Sequence, residues 1–284
     1  MATPQVTHFE LIGADGGPLR GDVRRAPRSV AGPAVVICHG FKGFKDWGFF
    51  PKLADRLARA GFAAVSFNFS GSGVGPDGEH FTEPDRFGHA TYASDLKDLA
   101  TVIDAIHGGT LVTGMSSPAS LGLFGHSRGG GAVVLRAGGR TDEAVNAMVT
   151  WSAIGKAFRW GPETIRQWRE TGKLDITNMR TGEVLPLYTD LLDEVEGDWE
   201  GRFDLPAAAS RVRVPWLMVH GEADEAVPVS EGRMLWEQTE RRATFMPIAH
   251  GSHTYGAKHP WAGTTMELDR AMEATVNWFV RYLF

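Results

Sequence analysis

A serine placed between glycines is the strongest chemical signal in the sequence. The run Gly125-His126-Ser127-Arg128-Gly129 follows an apolar segment at 121–124 and precedes a stretch rich in glycine and alanine. Glycines two positions either side of a serine let a strand turn sharply into a helix and leave the hydroxyl accessible. Glycine-rich turns produce this pattern by chance as well, so its meaning depends on a base and an acid further along the chain.

Two histidines in one loop are candidates for the base. His250 and His253 both follow an apolar segment at 244–248 that predicts the last strand. A histidine several residues beyond a strand is free to reach back to a neighbouring strand end, whereas His250 adjoins the strand and suits a structural role. We therefore predict His253 as the general base, with His250 as the alternative.

An acid lies between the serine and the histidines in the chain. Asp224 ends a polar turn after the buried segment 215–219, which places it at the carboxyl edge of the predicted sheet. Such a carboxylate can orient a histidine and stabilise its protonated form. The same turn is also compatible with a solvated cap around Asp224, and Glu222 is the alternative acid.

Backbone N–H groups that bind a developing oxyanion complete this type of site. The amide of Arg128 directly follows the serine, and the amide of Phe41 follows an earlier strand at 34–38. These two amides are the predicted oxyanion donors. We predict that the neighbouring His39 supports this loop by hydrogen bonds rather than taking part in the chemistry.

Short apolar segments alternate with helical patterns along the chain, and we predict an α/β fold with a mostly parallel sheet covered by helices on both faces. The predicted strands cover 34–38, 63–69, 121–124, 146–151, 215–219 and 244–248, after two edge strands at 6–12 and 19–25. The predicted helices cover 49–60, 90–106, 129–137 and 264–283.

The stretch 155–210 interrupts this alternation with tryptophans and polar helical segments, and is too long for an ordinary connection. We predict one domain over 1–284 that carries this stretch as a small cap. Phe44, Trp160 and Trp168 are candidates for lining a substrate pocket, and packing in the core is an equally good interpretation of each of them.

Taken together, these residues resemble the α/β-hydrolase superfamily. His39-Gly40-Phe41, the run 125–129, the run 220–224 and Gly251-Ser252-His253 occur in the family's order, and the match covers 35–284. The single His-Gly-Phe turn and the modest insertion resemble the dienelactone hydrolase, feruloyl esterase and serine aminopeptidase branches. The resemblance implies an acyl-enzyme mechanism on carboxylic esters. The insertion, with its Arg159-Trp160 pair, departs from those branches.

Composition excludes several other classes. The chain has 284 residues, 43% hydrophobic and 22% charged, with a net charge of −5, so it lacks the basic surface of a nucleic-acid-binding protein. Neither a signal peptide nor an apolar run of membrane-spanning length is visible, and we expect a cytoplasmic protein without a membrane partner. Motifs for a nucleotide, a metal or another cofactor are missing, so we expect none. A homodimer is one of the assembly states that the sequence leaves open.

The expected function is hydrolysis of small carboxylic esters by Ser127, His253 and Asp224, with small acyl or aryl acids as the acyl part. Two alternatives stay open. One is an aminopeptidase or amidase acting on short peptides, which acidic residues of the insertion near Ser127 would favour; the candidates are Glu163, Glu170, Asp190 and Asp193. The other is a non-catalytic binding protein with this fold.

Overall fold

The computed structural model describes residues 3–27, 32–139, 145–178, 182–198 and 201–284. Its strands in these ranges are β1 (Gln5–Ile12), β2 (Pro18–Arg25), β3 (Ala34–Cys38), β4 (Ala63–Phe67), β5 (Leu121–His126), β6 (Ala147–Trp151), β7 (Lys173–Thr177), β8 (Val184–Tyr188), β9 (Trp216–Gly221) and β10 (Thr244–Ile248). Eight of them form one sheet in the order β1-β2-β4-β3-β5-β6-β9-β10, and β7 and β8 form a separate hairpin.

The large sheet is parallel except at one edge. Strand β1 pairs antiparallel with β2, and β2 pairs antiparallel with β4. All other neighbours in this sheet run parallel. The central strands β3, β4, β5 and β6 are buried along their whole length, which is typical of a parallel sheet covered on both faces. The predicted α/β class is confirmed.

Helices cover both faces of this sheet. The helices in the described ranges are α1 (Phe50–Arg59), α2 (Pro84–Gly88), α3 (Tyr92–His107), α4 (Arg128–Ala137), α5 (Pro162–Thr171), α6 (Asp190–Glu196), α7 (Leu205–Arg211), α8 (Val229–Gln238) and α9 (Met266–Leu283). Of these, α5 and α6 contact the hairpin β7–β8 instead of the large sheet. Helix α9 packs on Gly122 of β5, where an added Cβ would lie 2.6 Å from the Phe279 ring. Helix α4 packs on Gly125 of the same strand. Residues an odd number of positions apart on a strand point to opposite faces, so α9 and α4 lie on opposite sides of the sheet.

Most elements lie where the sequence predicts them, and the insertion is where the structure differs. The stretch 155–210 contains α5, the hairpin β7–β8 and α6, and the hairpin was not predicted. Its two strands are only five residues long and partly exposed, and Pro186 interrupts the second, so the alternation of apolar and polar residues is weak. Helix α7 contacts α4 and α8, so the last part of the stretch packs with the main body.

Polar contacts join the cap to the body. The Glu194 carboxylate of α6 accepts hydrogen bonds from the backbone N–H groups of Tyr92 and Ala93, at 2.6 and 2.9 Å. These N–H groups belong to the first turn of α3, where a negative charge is favoured. On the hairpin, the Tyr188 hydroxyl donates to Asp85 of α2 at 2.9 Å. These contacts join the insertion 155–210 to helices α2 and α3.

No helix in the described part of the chain is both long enough and apolar enough to cross a membrane.

Candidate active site

Ser127 lies at the turn between β5 and α4 with a strained backbone. Its φ is 56° and its ψ is −120°, a conformation that costs a residue with a side chain about 1–3 kcal/mol. Hydrogen bonds hold the turn: the Ser127 N–H donates to the Trp151 carbonyl at 2.9 Å, and its own carbonyl accepts from the Gly131 N–H at 3.0 Å. The strain directs the hydroxyl away from the sheet and toward the cap.

Gly125 and Gly129 of the motif are required because other parts of the backbone lie very close to them. A Cβ on Gly129 would lie 2.3 Å from the His39 carbonyl oxygen and 2.6 Å from that of Cys38. A Cβ on Gly125 would lie 2.3 Å from the Gly129 carbonyl oxygen. The helix α4 can therefore start directly against β3 and β5 only when these positions have no side chain.

Gly129→Ala is expected to lower the free energy of unfolding by about 3 kcal/mol, because the new methyl group meets backbone atoms that cannot move independently. Urea unfolding followed by circular dichroism measures the change. Gly161→Ala is the matched control, since a Cβ there meets nothing within 4 Å, and should change stability by less than about 1 kcal/mol. Equal midpoints for the two variants would contradict this account of the turn.

His253 lies in the loop after β10, next to the serine turn. Its Nδ1 is 2.8 Å from Asp224 Oδ2 and 3.1 Å from Oδ1. This contact uses Nδ1 as the donor and leaves Nε2 as the nitrogen that can accept a proton. The His253 carbonyl accepts a hydrogen bond from His126 Nε2 at 2.8 Å, and the two rings lie 4.6 Å apart. The residue before Ser127 thus positions the histidine loop.

Asp224 is held in place by backbone donors as well as by His253. Its Oδ1 accepts from the N–H groups of Ala226 and Val227, at 3.0 and 2.8 Å, and its side chain is fully buried. Burial alone would raise the pKa of this carboxyl, but the hydrogen bond and charge of His253, with the Val227 N–H, outweigh it and lower the pKa. Asp224 is therefore a carboxylate at neutral pH.

The alternative base and acid lie on the surface. His250 is exposed at the end of β10, in a left-handed conformation with φ of 58°. Glu222 is also exposed, with its nearest ion-pair partner, Arg233, at 3.9 Å. Neither residue contributes to the cavity that contains Ser127. The structure brings Ser127 and His253 together at that cavity and leaves the two alternatives outside it.

The two residues predicted to supply oxyanion donors line the same cavity as the serine. Phe41 and Arg128 line it together with Ser127 and His253. Arg128 is the first residue of α4, so its N–H has no acceptor within the helix. The Ser127 N–H is bonded to Trp151 and is not available. The two predicted oxyanion residues, Phe41 and Arg128, thus lie at the cavity that contains Ser127.

His39 supports the Phe41 turn. Its Nδ1 donates to the Gly40 carbonyl at 2.9 Å, and its Nε2 accepts from the Phe69 N–H at 3.2 Å. Burial lowers the pKa of His39 to about 4, so its ring is neutral at physiological pH. A neutral ring with both nitrogens bonded to backbone has no proton to exchange with a substrate.

The chain matches the family of the serine aminopeptidase S33 over residues 31–178, which is just over half of its length. The chain belongs to this family. It is therefore a serine hydrolase, as its resemblance to the α/β-hydrolase superfamily implied. No curated protein matches the chain in sequence.

Solved structures share the fold of this serine hydrolase. Est1E from Butyrivibrio proteoclasticus with ferulic acid bound is 21% identical, with a TM-score of 0.72 over 95% of this chain and 98% of that chain. Dienelactone hydrolase from Anabaena variabilis is 19% identical, with a TM-score of 0.65 over all of both chains. Acylaminoacyl peptidase from Pyrococcus horikoshii is 15% identical, with a TM-score of 0.69 over 100% of this chain and 42% of that chain. These similarities confirm the α/β-hydrolase fold.

The cavity of this serine hydrolase has a volume of about 260 Å³ and lies between the sheet edge and the cap. Its lining residues are Phe41, Lys42, Tyr92, Ser127, Arg128, Ile154, Arg159, Trp160, Leu191, Ala226, Val227 and His253. The lining combines apolar and aromatic groups with a few polar ones, which is typical of a site for a small molecule.

The three aromatic candidates for the pocket have different positions. Trp160 lines the cavity. Trp168 is completely buried, and the centroid of its ring is 5.0 Å from that of Trp160. Phe44 is buried against Phe81 and His259 and does not line the cavity. Trp168 and Phe44 therefore act through packing, which was the other interpretation of these aromatic residues.

Sequence reasoning missed several lining residues of this serine hydrolase. Tyr92 starts α3 and Leu191 belongs to α6, and both carry the ordinary apolar pattern of buried helix faces. Lys42 and Arg159 lie in loops with no periodic pattern. Only their position beside Ser127 in the folded chain distinguishes them from other surface and core residues.

Proposed function

We propose that this serine hydrolase cleaves carboxylic esters of small acyl or aryl acids through an acyl-enzyme formed on Ser127. The observation that carries the proposal is the shared cavity of Ser127, His253 and the amides of Phe41 and Arg128, with His253 bonded to Asp224. This combination supplies a nucleophile, a base, an orienting acid and oxyanion donors.

In the acylation step, the Ser127 hydroxyl oxygen attacks the ester carbonyl carbon while His253 Nε2 takes the hydroxyl proton. The tetrahedral intermediate collapses when the bond to the alcohol oxygen breaks, and His253 passes the proton to that oxygen. Water then attacks the acyl-enzyme with His253 again as the base, which releases the acid and regenerates the serine. Asp224 keeps Nδ1 protonated and stabilises the imidazolium in both steps.

The oxyanion of each tetrahedral intermediate would accept hydrogen bonds from the amides of Phe41 and Arg128. The start of α4 adds the positive end of a helix dipole next to the same oxygen. Loss of one such donor typically costs about 10² to 10³ in kcat. Both donors are backbone groups, so their geometry depends on the turns that His39 and Gly129 stabilise.

Hydrolysis of short peptides is the second candidate, and membership of the serine aminopeptidase family favours it. A site for a free peptide amine needs an acidic side chain to bind the ammonium group. None of the acidic residues that the structure describes in the insertion lines the cavity: Glu163 pairs with Arg166, Asp190 with His89 and Asp193 with Arg169, and Glu170 is exposed. The lining therefore supports esters over aminopeptidase substrates.

The cavity volume leads to an expected substrate profile. We expect 4-nitrophenyl acetate, butyrate and benzoate to be hydrolysed faster than the dodecanoate, because about 260 Å³ encloses a short or aryl acyl group but not a long chain. We expect alanine 4-nitroanilide to be turned over at least about 100-fold more slowly than the acetate ester, because none of the described lining residues has a carboxylate to bind its amine. Release of the 4-nitro product, read by absorbance, measures both.

A maximum at long-chain esters would refute the small-acyl part of the proposal. Turnover of alanine 4-nitroanilide that exceeds turnover of the esters would replace it with the peptidase function. Acetyl-alanine 4-nitroanilide is the matched control, since it has the same amide bond without the free amine. It separates a preference for the amine from a general ability to cleave amides.

A further inference from the structure

The charged side chains that line the cavity beside Ser127 in the described chain are all positive. Three of its lining residues, Lys42, Arg128 and Arg159, carry positive charges, and none of its lining residues in the described chain is acidic. The remainder of the lining is apolar, aromatic or catalytic. A small molecule that fills this cavity therefore meets positive charge from several directions.

Arg128 is the most deeply placed of these cations. It is only 8% exposed, its Nε donates to Asp95 Oδ2 at 2.7 Å, and its guanidinium lies 4.5 Å from the centre of the Tyr92 ring. Its Nη2 is buried and has no hydrogen-bond partner among the described residues. A guanidinium has five N–H donors, and a buried donor without an acceptor is costly, so this side chain has unused capacity to bind an anion.

Arg128 also links the main cavity to a smaller one. A second cavity, of about 20 Å³, shares Phe41, Lys42 and Arg128 with the first, and is lined by neither Ser127 nor His253. Lys42 and Arg128 therefore border a space that neither catalytic side chain lines. Because His253 must protonate the leaving alcohol, that alcohol extends toward His253, and the acyl part of an ester occupies the rest of the lining, which includes Lys42 and Arg128.

Acidic residues pair with both arginines and fix their positions, and one of them, Asp95, also lines the smaller cavity. Arg159 Nη1 donates to Glu231 Oε2 at 2.7 Å, and Glu231 also accepts from the Gly155 N–H at the same distance. Asp95 plays this role for Arg128. Glu194, whose charge also acts on Arg128, is bonded to the first N–H groups of α3. Guanidinium groups held in this way lose little freedom when they bind a ligand.

We propose that the acyl group of the preferred ester ends in a carboxylate, which the cations of the cavity lining, Lys42, Arg128 and Arg159, bind. The inference rests on the proposed ester hydrolysis at Ser127 and adds the substrate class. The aromatic and apolar residues of the lining suit a ring or short chain that separates the ester from the carboxylate. Planar guanidinium groups match carboxylate oxygens in two-point hydrogen bonds.

The test compares three 4-nitrophenyl esters of the same size. They are the monoester of terephthalic acid, which is anionic, the 4-methylbenzoate, which is neutral, and the 4-(aminomethyl)benzoate, which is cationic. After subtraction of spontaneous hydrolysis, we expect kcat/KM for the anionic ester to exceed that for the neutral ester by about tenfold or more, and the cationic ester to be slowest. Equal values, or a preference for the neutral or cationic ester, would overturn the proposal.

Variants test which residues cause the preference for the anionic ester. Lys42→Gln and Arg159→Gln are each expected to lower the ratio of anionic to neutral kcat/KM by about threefold or more. Arg128→Gln is combined with Asp95→Asn, so that no buried charge is left alone, and should lower the ratio most. Lys97→Gln removes the same charge from exposed surface outside the cavity and should leave the ratio unchanged. If Lys97→Gln lowered the ratio as much as the other variants, the preference for the anionic ester would be a long-range effect of net charge. That result would refute the proposed anion site.

A binding measurement separates this inference from the ester hydrolysis on which it rests. If none of the three esters is hydrolysed, the proposed function fails, and calorimetry on the Ser127→Ala variant decides the anion site. Tighter binding of monomethyl terephthalate than of methyl 4-methylbenzoate would support the site without the reaction. Equal binding of the two would refute it. Hydrolysis of all three esters at similar rates refutes the carboxylate preference and leaves the ester hydrolase intact.

Discussion

Ser127→Ala is expected to lower kcat/KM for 4-nitrophenyl acetate and butyrate by at least about 10⁴-fold, with the folded state unchanged. The hydroxyl is the atom that forms the acyl-enzyme, and the histidine and oxyanion amides around it cannot replace a nucleophile. Alanine is smaller than serine and keeps the backbone of the turn, so circular dichroism should show equal folding. Absorbance at the 4-nitrophenolate band measures the rate.

Two controls make this result specific. Ser210→Ala changes a partly buried serine outside the cavity, whose hydroxyl donates to the Ala207 carbonyl on α7, and should keep full activity. A fluorophosphonate probe, which reacts with activated serines, should label the unaltered protein and the Ser210 variant but not the Ser127 variant. Activity that survives Ser127→Ala would assign the reaction to another group. A folded protein that neither hydrolyses esters nor reacts with the probe would instead support the binding-protein alternative.

His253→Ala is expected to lower kcat/KM by at least about 10³-fold, whereas His250→Ala is expected to change it by less than about threefold. His253 lines the cavity with Ser127 and is bonded to Asp224, while His250 is exposed three residues earlier. The two variants remove the same side chain from the same loop, so each is a matched control for the other. Esters with 4-nitrophenol as the leaving group are measured at pH 7.5 in both.

Asp224 should add no pH dependence to kcat/KM near neutral pH. The pKa of Asp224 is lowered, so this carboxyl is ionised throughout the range from pH 5 to 8 and does not itself titrate there. A change in kcat/KM over that range should therefore not come from this carboxyl. A His250→Ala variant that loses activity while His253→Ala keeps it would reverse the assignment.

The local pattern of apolar and polar residues predicted the strands of the large sheet well. Strands β3, β5 and β6 are short apolar segments buried on both faces, and such a segment can be recognised from its own residues. The hairpin β7–β8 was missed because its strands are short, partly exposed and interrupted by proline, so no local pattern marks them. The cap was visible as an interruption of the alternation, but its internal structure was not.

The order of the motifs and their positions after predicted strands determined the candidate nucleophile, base and acid from the sequence alone. Parallel strands bring their carboxyl ends to one edge of a sheet, so residues that follow different strands become neighbours whatever their separation in the chain. The choice between His253 and His250, and between Asp224 and Glu222, gained its strongest support from the tertiary structure, which buries Asp224 against His253 and leaves the other two exposed.

The lining of the cavity was decided only by the tertiary structure. Trp160 faces the cavity and Trp168 packs behind it, although both are tryptophans of the same insertion. Lys42, Arg128 and Arg159 come from three separate segments and become one cationic surface only when the cap folds over the sheet. A sequence specifies local conformation through neighbouring residues, whereas the direction and surroundings of a loop side chain depend on packing between distant segments. For this reason the sequence determined the class of reaction to test, and the structure determined which substrate to test first.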